Sequence, residues 1–251
     1  MGGASWVWTG VILLACAQAG AQVPESGRSQ EMTVSAEEVR QSVEDRYIDR
    51  TVELAAEGKL DDDRILLARL HSIGAGLIRA AIAMKPEAAQ WQWEFHTTSD
   101  PDVDAMCMAG GKILVGSAFV RQLALDDGEL ATLLGHEVAH AVAEHHRETL
   151  SEALALNRPQ VPVDVLLERL DTDFSLQLRL ANLSSLQEAE ADQLGMILAH
   201  RAGWPAEAMV RFYRKLGTVE QSTLLSNAYP AAASRLSMAR GMARLFNAGA
   251  E

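Results

Sequence analysis

The sequence predicts an α+β fold, mainly helical, with a small sheet beside a central helix. Apolar residues recur at helical spacing over most of the chain from Ser35 onward. Alternation with a period of two is confined to WQWEFHTT, starting at Trp91, and GKILVG, starting at Gly111. With 251 residues, of which 48% are hydrophobic and 22% charged, the chain can build one sizeable core.

From the N-terminus, the first 21 residues carry no charged side chain, and Trp6 to Ala17 is a short apolar run. Ala19-Gly20-Ala21 has the small-x-small form of a cleavage site, so residues 1–21 read as a secretory signal peptide. The apolar run falls short of the roughly 20 residues that span a bilayer, and no other stretch reads as a span. LLAC, ending at Cys16, offers an alternative: cleavage before Cys16 and lipid on its sulfur, which would tie the protein to a membrane. Either route leaves Cys107 as the only thiol after processing, a small buried hydrophobe with no internal disulfide.

Residues 22–34 are polar with Pro and Gly, the composition of a flexible linker. Residues 35–251 then form the folded domain, with N-terminal helices over 35–85 and the functional core over 86–247. SAEE opens the first helix as a capping box, and Val39, Val43, Tyr47, Ile48 and Val52 give its stripe. DDDR, from Asp61 to Arg64, caps a second helix that Pro86 ends. The two strands follow, with His96 on an outer face; the remainder is helical, with breaks near 157–162, 203–205 and 227–230.

The chemistry lies in DDGELATLLGHEVAHAVAEHH. Asp126 and Glu129 form a capping pair, and Leu130, Leu133, Leu134, Val138 and Ala141 make an apolar stripe, so HEVAH sits inside an amphipathic helix. Residues four apart differ by about 40° around a helix axis, so His136 and His140 present both rings to one point, as a two-His zinc clamp. Glu137 stands on the shoulder of that face, where a carboxylate can take a proton from an attacking water. A third ligand must come from elsewhere. His146 is excluded because a continuing helix carries it about 9 Å beyond His140 along the axis. In QEAEADQLG, read as a helix capped by Ser184 or Ser185, Glu188 and Asp192 share a face while Glu190 points away. Glu188 can complete the triad, and Asp192 can hydrogen-bond a ligand imidazole.

HEVAH followed by EAEAD about 50 residues later resembles the metallopeptidase family that includes HtpX, BepA, LoiP and the CAAX prenyl endopeptidases. WQWEFHTTSDPDVDAMCMAGGKILV, AHRAGWPAEAMVRFYRKL and YPAAASRL are similar to that family's other segments, and together the likeness covers about residues 60–247. The resemblance implies a zincin-like metalloprotease domain with one Zn²⁺ held by His136, His140 and Glu188. It implies Glu137 as general base and Asp192 as support. It also implies that Met106, Cys107, Met108, Ala109, Gly110 and Gly111 form an edge strand that pairs with extended or unfolded polypeptide. Combined with the signal peptide, it suggests a periplasmic endopeptidase of envelope protein quality control.

The chain departs from the family pattern at Asp104, where Asn is usual, at Ala109, where Pro is common, and at Tyr229, where His is frequent. Tyr229 can donate to a developing oxyanion or simply pack, and Arg235 can pair with an acidic residue of the site or lie at the surface. His145 and Glu148 also match, as helix-face or supporting groups. Two other readings stay open: a zinc-retaining, chaperone-like or assembly factor with little proteolysis, and a resting state in which the Cys107 thiolate takes the open zinc position. Nucleic acid is not an expected partner, because 22 Lys and Arg face 34 Asp and Glu for a net charge of −12.

Overall fold

The molecule is organised around one helix, α4 (Asp127–Val142), which packs between the sheet-bearing half of the chain and its C-terminal helices. The computed structural model describes residues 21–157, 161–219 and 230–249. Cys16, nearly all of the expected signal peptide, and Tyr229 therefore lie outside the described residues.

Residues 22–34, expected as a flexible linker, are instead packed on the domain. β1 (Ala21–Gln22) and β2 (Ser29–Gln30) form a small antiparallel hairpin. Val23, Gln30 and Val34 are buried, and Gln30 Nε2 donates to the Ala143 carbonyl at 2.9 Å. The polarity that suggests a linker serves contacts to distant residues, which composition cannot reveal.

The helix α1 (Ala36–Ala56) is capped by Ser35 and buries Val39, Val43, Tyr47 and Leu54, whereas Ile48 and Val52 of the expected stripe are exposed. In DDDR the acidic residues divide their work. Asp63 caps α2 (Arg64–Met84), while Asp61 binds the Thr97 N–H and places Oδ2 2.6 Å from His96 Nδ1. By length and composition α2 is apolar enough to cross a bilayer, with a window mean hydropathy of 1.5, contrary to the expectation that nothing beyond the N-terminus qualifies. Its apolar face is nevertheless committed to the core, where Leu66, Leu70, Ile73 and Leu77 are buried.

Trp91 follows a 3-10 turn, so the first long strand, β3, covers only Glu94–Thr98. β4 (Ala105–Met108) and β5 (Lys112–Gly116) complete a sheet of order β3-β5-β4, parallel on one side of β5 and antiparallel on the other. β4 is thus an edge strand, shorter than expected, because Ala109, Gly110 and Gly111 make the turn into β5 with both glycines at positive φ.

After the short α3 (Ser117–Gln122) the chain enters α4 through the expected Asp126–Glu129 capping box. Where the sequence predicts a helix continuing through His146, the chain breaks at Ala143 and Glu144, the latter at φ 53°, and restarts as α5 (His145–Leu156). Next come α6 (Val163–Thr172) and the long α7 (Phe174–Arg201), whose N-cap is Asp173, so Ser184 and Ser185 lie in mid-helix. α8 (Ala206–Leu216) and α9 (Ala232–Ala248) close the fold. The main core joins α2, the sheet, α4, α7 and α8, and a satellite cluster of Val34, Val39, Val43, Leu150, Leu166 and Leu176 ties α1, α5 and α6 to the start of α7.

One ion-pair network staples the hairpin to this scaffold. Arg28 Nη1 and Nη2 reach the two oxygens of Glu148 at 2.5 and 2.8 Å, and Gln30 and Gln187 each donate to Glu148 Oε2 at 3.0 Å. Burial alone would raise the Glu148 pKa, but these hydrogen bonds outweigh it and hold the carboxyl below its usual range. A depressed folded pKa stabilises the fold above the ordinary Glu value of about 4.3 and loses that contribution as pH falls through the folded value. Glu148→Gln is therefore expected to flatten the acid side of the stability profile, read by urea unfolding of metal-free chain between pH 7 and pH 3. Equal slopes for variant and parent would contradict this assignment.

Candidate metal centre

Two helices build the centre because each carries a pair of chemistry-bearing residues at i and i+4. On α4 these are His136 and His140, and on α7 they are Glu188 and Asp192. The helices cross where Gly135 meets Gly195: a Cβ on Gly195 would lie 2.6 Å from the His136 nitrogen, and one on Gly135 2.6 Å from the Gly195 carbonyl oxygen. Backbone contact at that point brings side chains from segments about 50 residues apart onto one spot.

His136 Nε2 and His140 Nε2 are 3.1 Å apart, His136 Nε2 lies 3.3 Å from Glu188 Oε2, and His140 Nε2 lies 3.5 Å from Glu188 Oε1. Among the described residues, these three side chains form a group able to hold a metal ion. Ligands about 2.0–2.1 Å from a tetrahedral zinc are separated by about 3.3–3.4 Å, close to the spacing of the two imidazole nitrogens from each other and of each from its nearer Glu188 oxygen. Glu188 Oε2 is also buried without a hydrogen bond, an arrangement that a cation would satisfy. The donor set, two imidazoles and one carboxylate, fits zinc and leaves a fourth position open.

Burial and neighbouring charges push the titrating groups of the centre in different directions. Burial works against charge on His136, yet the Asp192 hydrogen bond and the neighbouring Glu188 carboxylate prevail and carry its pKa up to about 10. Burial, followed by the charges of His136 and His145, pushes His140 well below the usual imidazole value. Glu137 is buried on the same helix face. That burial pushes its pKa up to about 7, although the His136 charge and a hydrogen bond from the Cys107 backbone N–H oppose the rise.

Asp192 accepts from three sides. His136 Nδ1 is 3.0 Å from its Oδ1, Tyr213 Oη donates to that same oxygen at 3.0 Å, and Arg235 on α9 donates from Nη2 to Oδ1 at 2.6 Å and from Nε to Oδ2 at 2.8 Å. Arg235 is thus buried and bound to Asp192 rather than lying at the surface. Tyr213 escapes detection in the sequence because its spacing beside Met209 and Phe212 reads as core, and Phe212 and Met209 are core.

Glu190 does point away from the three ligand atoms, but into a buried network, where Arg28 holds both of its oxygens at 2.7 and 2.8 Å. His145 Nδ1 lies 3.0 Å from His140 Nδ1. His146 stays outside the ligand group and lines a cleft beside His140, together with Val39, Arg40, Trp91 and Gly110.

Cys107 does not join the ligand group. Its side chain is buried in the core, its Sγ donates to the Met108 carbonyl at 3.5 Å, and burial raises its pKa well above the ordinary thiol value. The resting state with a zinc-bound Cys107 therefore lacks its geometry. The strand's backbone is nonetheless at the centre, because the Cys107 N–H reaches Glu137 from the edge of β4 that faces away from β5.

Comparison with known proteins agrees with this geometry. The model of peptidase family M48 matches residues 66–243. The mitochondrial metalloendopeptidase OMA1 of Arabidopsis thaliana is 35% identical over 127 residues, covering 50% of this chain and 26% of that protein. The β-barrel assembly-enhancing protease of Yersinia pestis is 27% identical over 241 residues, covering 88% of this chain and 47% of that protein. The chain thus spans less than half the length of either relative. With the family model covering most of its length and the HEVAH and EAEAD residues converging on one point, the chain belongs to peptidase family M48.

Proposed function

We propose that this chain is a zinc metalloendopeptidase that hydrolyses peptide bonds in extended or unfolded proteins. The convergence of His136 Nε2, His140 Nε2 and Glu188 at tetrahedral spacing carries the reading. One Zn²⁺ per chain would sit among these residues and, when bound, supply Lewis acidity toward the scissile carbonyl and the attacking water. Glu137, buried beside the three residues, accepts the water's proton and returns it to the leaving amine. Asp192 fixes the His136 ring, and Arg235 and Tyr213 fix Asp192. An extended substrate pairs with the outer edge of β4, beside Met106, Cys107 and Met108, which lays its backbone next to Glu137.

The export signal expected over residues 1–21 supports a periplasmic site of action, with anchoring through a lipidated Cys16 as the alternative. The relative named for enhancing β-barrel assembly supports a role in envelope protein quality control. The test is metal analysis of the full chain together with digestion of an unfolded protein. One equivalent of zinc is expected, with cleavage lost on chelation and regained on adding zinc. Cleavage that survives complete removal of the metal would sink the reading. Bound zinc without turnover on any unfolded protein would favour the chaperone-like alternative.

A further inference from the structure

We propose that Arg28, on the N-terminal hairpin, is a positioning residue for the metal ligand His140, acting through Glu190 and His145. The inference rests on the zinc reading above. An imidazole that offers Nε2 to a cation keeps its proton on Nδ1, and that proton needs an acceptor. The neighbour 3.0 Å from His140 Nδ1 is His145 Nδ1. If His140 donates there, His145 Nδ1 accepts and the His145 proton is on Nε2. That Nε2 is buried without a hydrogen-bond partner in this structure and faces Glu190 Oε2 at 3.4 Å, so the carboxylate is placed to receive its proton after a small shift. Arg28 in turn grips Glu190 through Nε at 2.7 Å and Nη2 at 2.8 Å.

With the His145–Glu190 contact closed, the chain from Arg28 to His140 alternates donor and acceptor without conflict. The opposite polarity would set an unprotonated His145 Nε2 against the Glu190 carboxylate and force the His140 proton onto Nε2, where it blocks ligation. Arg28 also bridges Glu190 to Glu148. Without it the two carboxylates would repel, and Glu190 would no longer be held under His145. The arrangement mirrors the other ligand, where His136 leans on Asp192 and Asp192 on Arg235. Each ligand histidine therefore ends on a carboxylate clamped by an arginine, one from α9 and one from the hairpin.

The experiment uses the full chain labelled with ¹⁵N-histidine. Zinc affinity is read by competition with a chromogenic chelator, and ring protonation by two-bond ¹H–¹⁵N correlation spectra. In the zinc-loaded parent, His140 is expected to carry its proton on Nδ1. Arg28→Met is expected to weaken zinc binding about 10- to 100-fold and to alter the His140 pattern while leaving that of His136 in place. Arg28→Lys is expected to recover part of both effects. Affinity within about twofold of the parent, with an unchanged His140 pattern, overturns the inference. Should Arg28→Met not fold, Glu190→Gln is judged by the same two readouts. A parent that binds no zinc overturns the zinc reading and this inference together, whereas zinc binding indifferent to Arg28 overturns this inference alone.

Discussion

Glu137→Gln is expected to retain zinc and to lose cleavage of an unfolded protein by about 10²- to 10⁴-fold, the range for removing a general base. The substitution is nearly isosteric and leaves His136, His140 and Glu188 in place, so metal content isolates the chemistry from the fold. Glutamine cannot take up the water's proton. It can still accept the Cys107 N–H through its amide oxygen, which keeps β4 where it is. The decisive comparison is turnover per bound zinc for variant and parent. Undiminished turnover by the glutamine variant would remove Glu137 from the mechanism.

Gly195→Ala is expected to destabilise the chain by about 3 kcal/mol, at the upper end of overpacking costs, and to weaken zinc binding with it. Alanine is normally the better helix former, favoured over glycine by about 1 kcal/mol, so propensity alone predicts the opposite sign. The new Cβ would lie 2.6 Å from the His136 nitrogen, 2.8 Å from the Gly135 carbonyl carbon and 2.8 Å from the His136 Cα. All three are backbone atoms, and no rotamer change can move them. Relief requires α7 to draw away from α4, which parts Glu188 from the two imidazoles. Gly241→Ala on α9 is the control, since nothing lies within 4 Å of its added Cβ. It is expected to stabilise by roughly 0.5–1 kcal/mol. Urea midpoints of the zinc-loaded variants decide the matter, and a Gly195→Ala chain as stable as the Gly241→Ala chain would show that the helices can separate at little cost.

Local signals were legible where cause and effect sit within one turn of chain. The Asp126–Glu129 capping box, the His136–His140 pair and the Glu188–Asp192 pair follow from the helical period. Boundaries that depend on distant contacts were not legible. The break at Ala143 and Glu144 is held by Gln30 from the hairpin, and Asp173 rather than Ser184 or Ser185 caps α7. Ile48 and Val52 fit the helical pattern of α1 but stay exposed, because the satellite core touches only the Val39 and Val43 side.

The sequence by itself determined the two helices of the centre and the phase of the His136–His140 and Glu188–Asp192 pairs on them, since both follow from spacing along the chain. Tertiary structure decided which neighbours support those side chains. Tyr213 and Arg235 converge on Asp192, and Arg28, 162 residues before Glu190, enters a buried network from a segment whose composition reads as linker. A long-range hydrogen bond leaves no periodicity in the chain that makes it. Its donor and acceptor become recognisable only when packing removes both from water and leaves each needing the other.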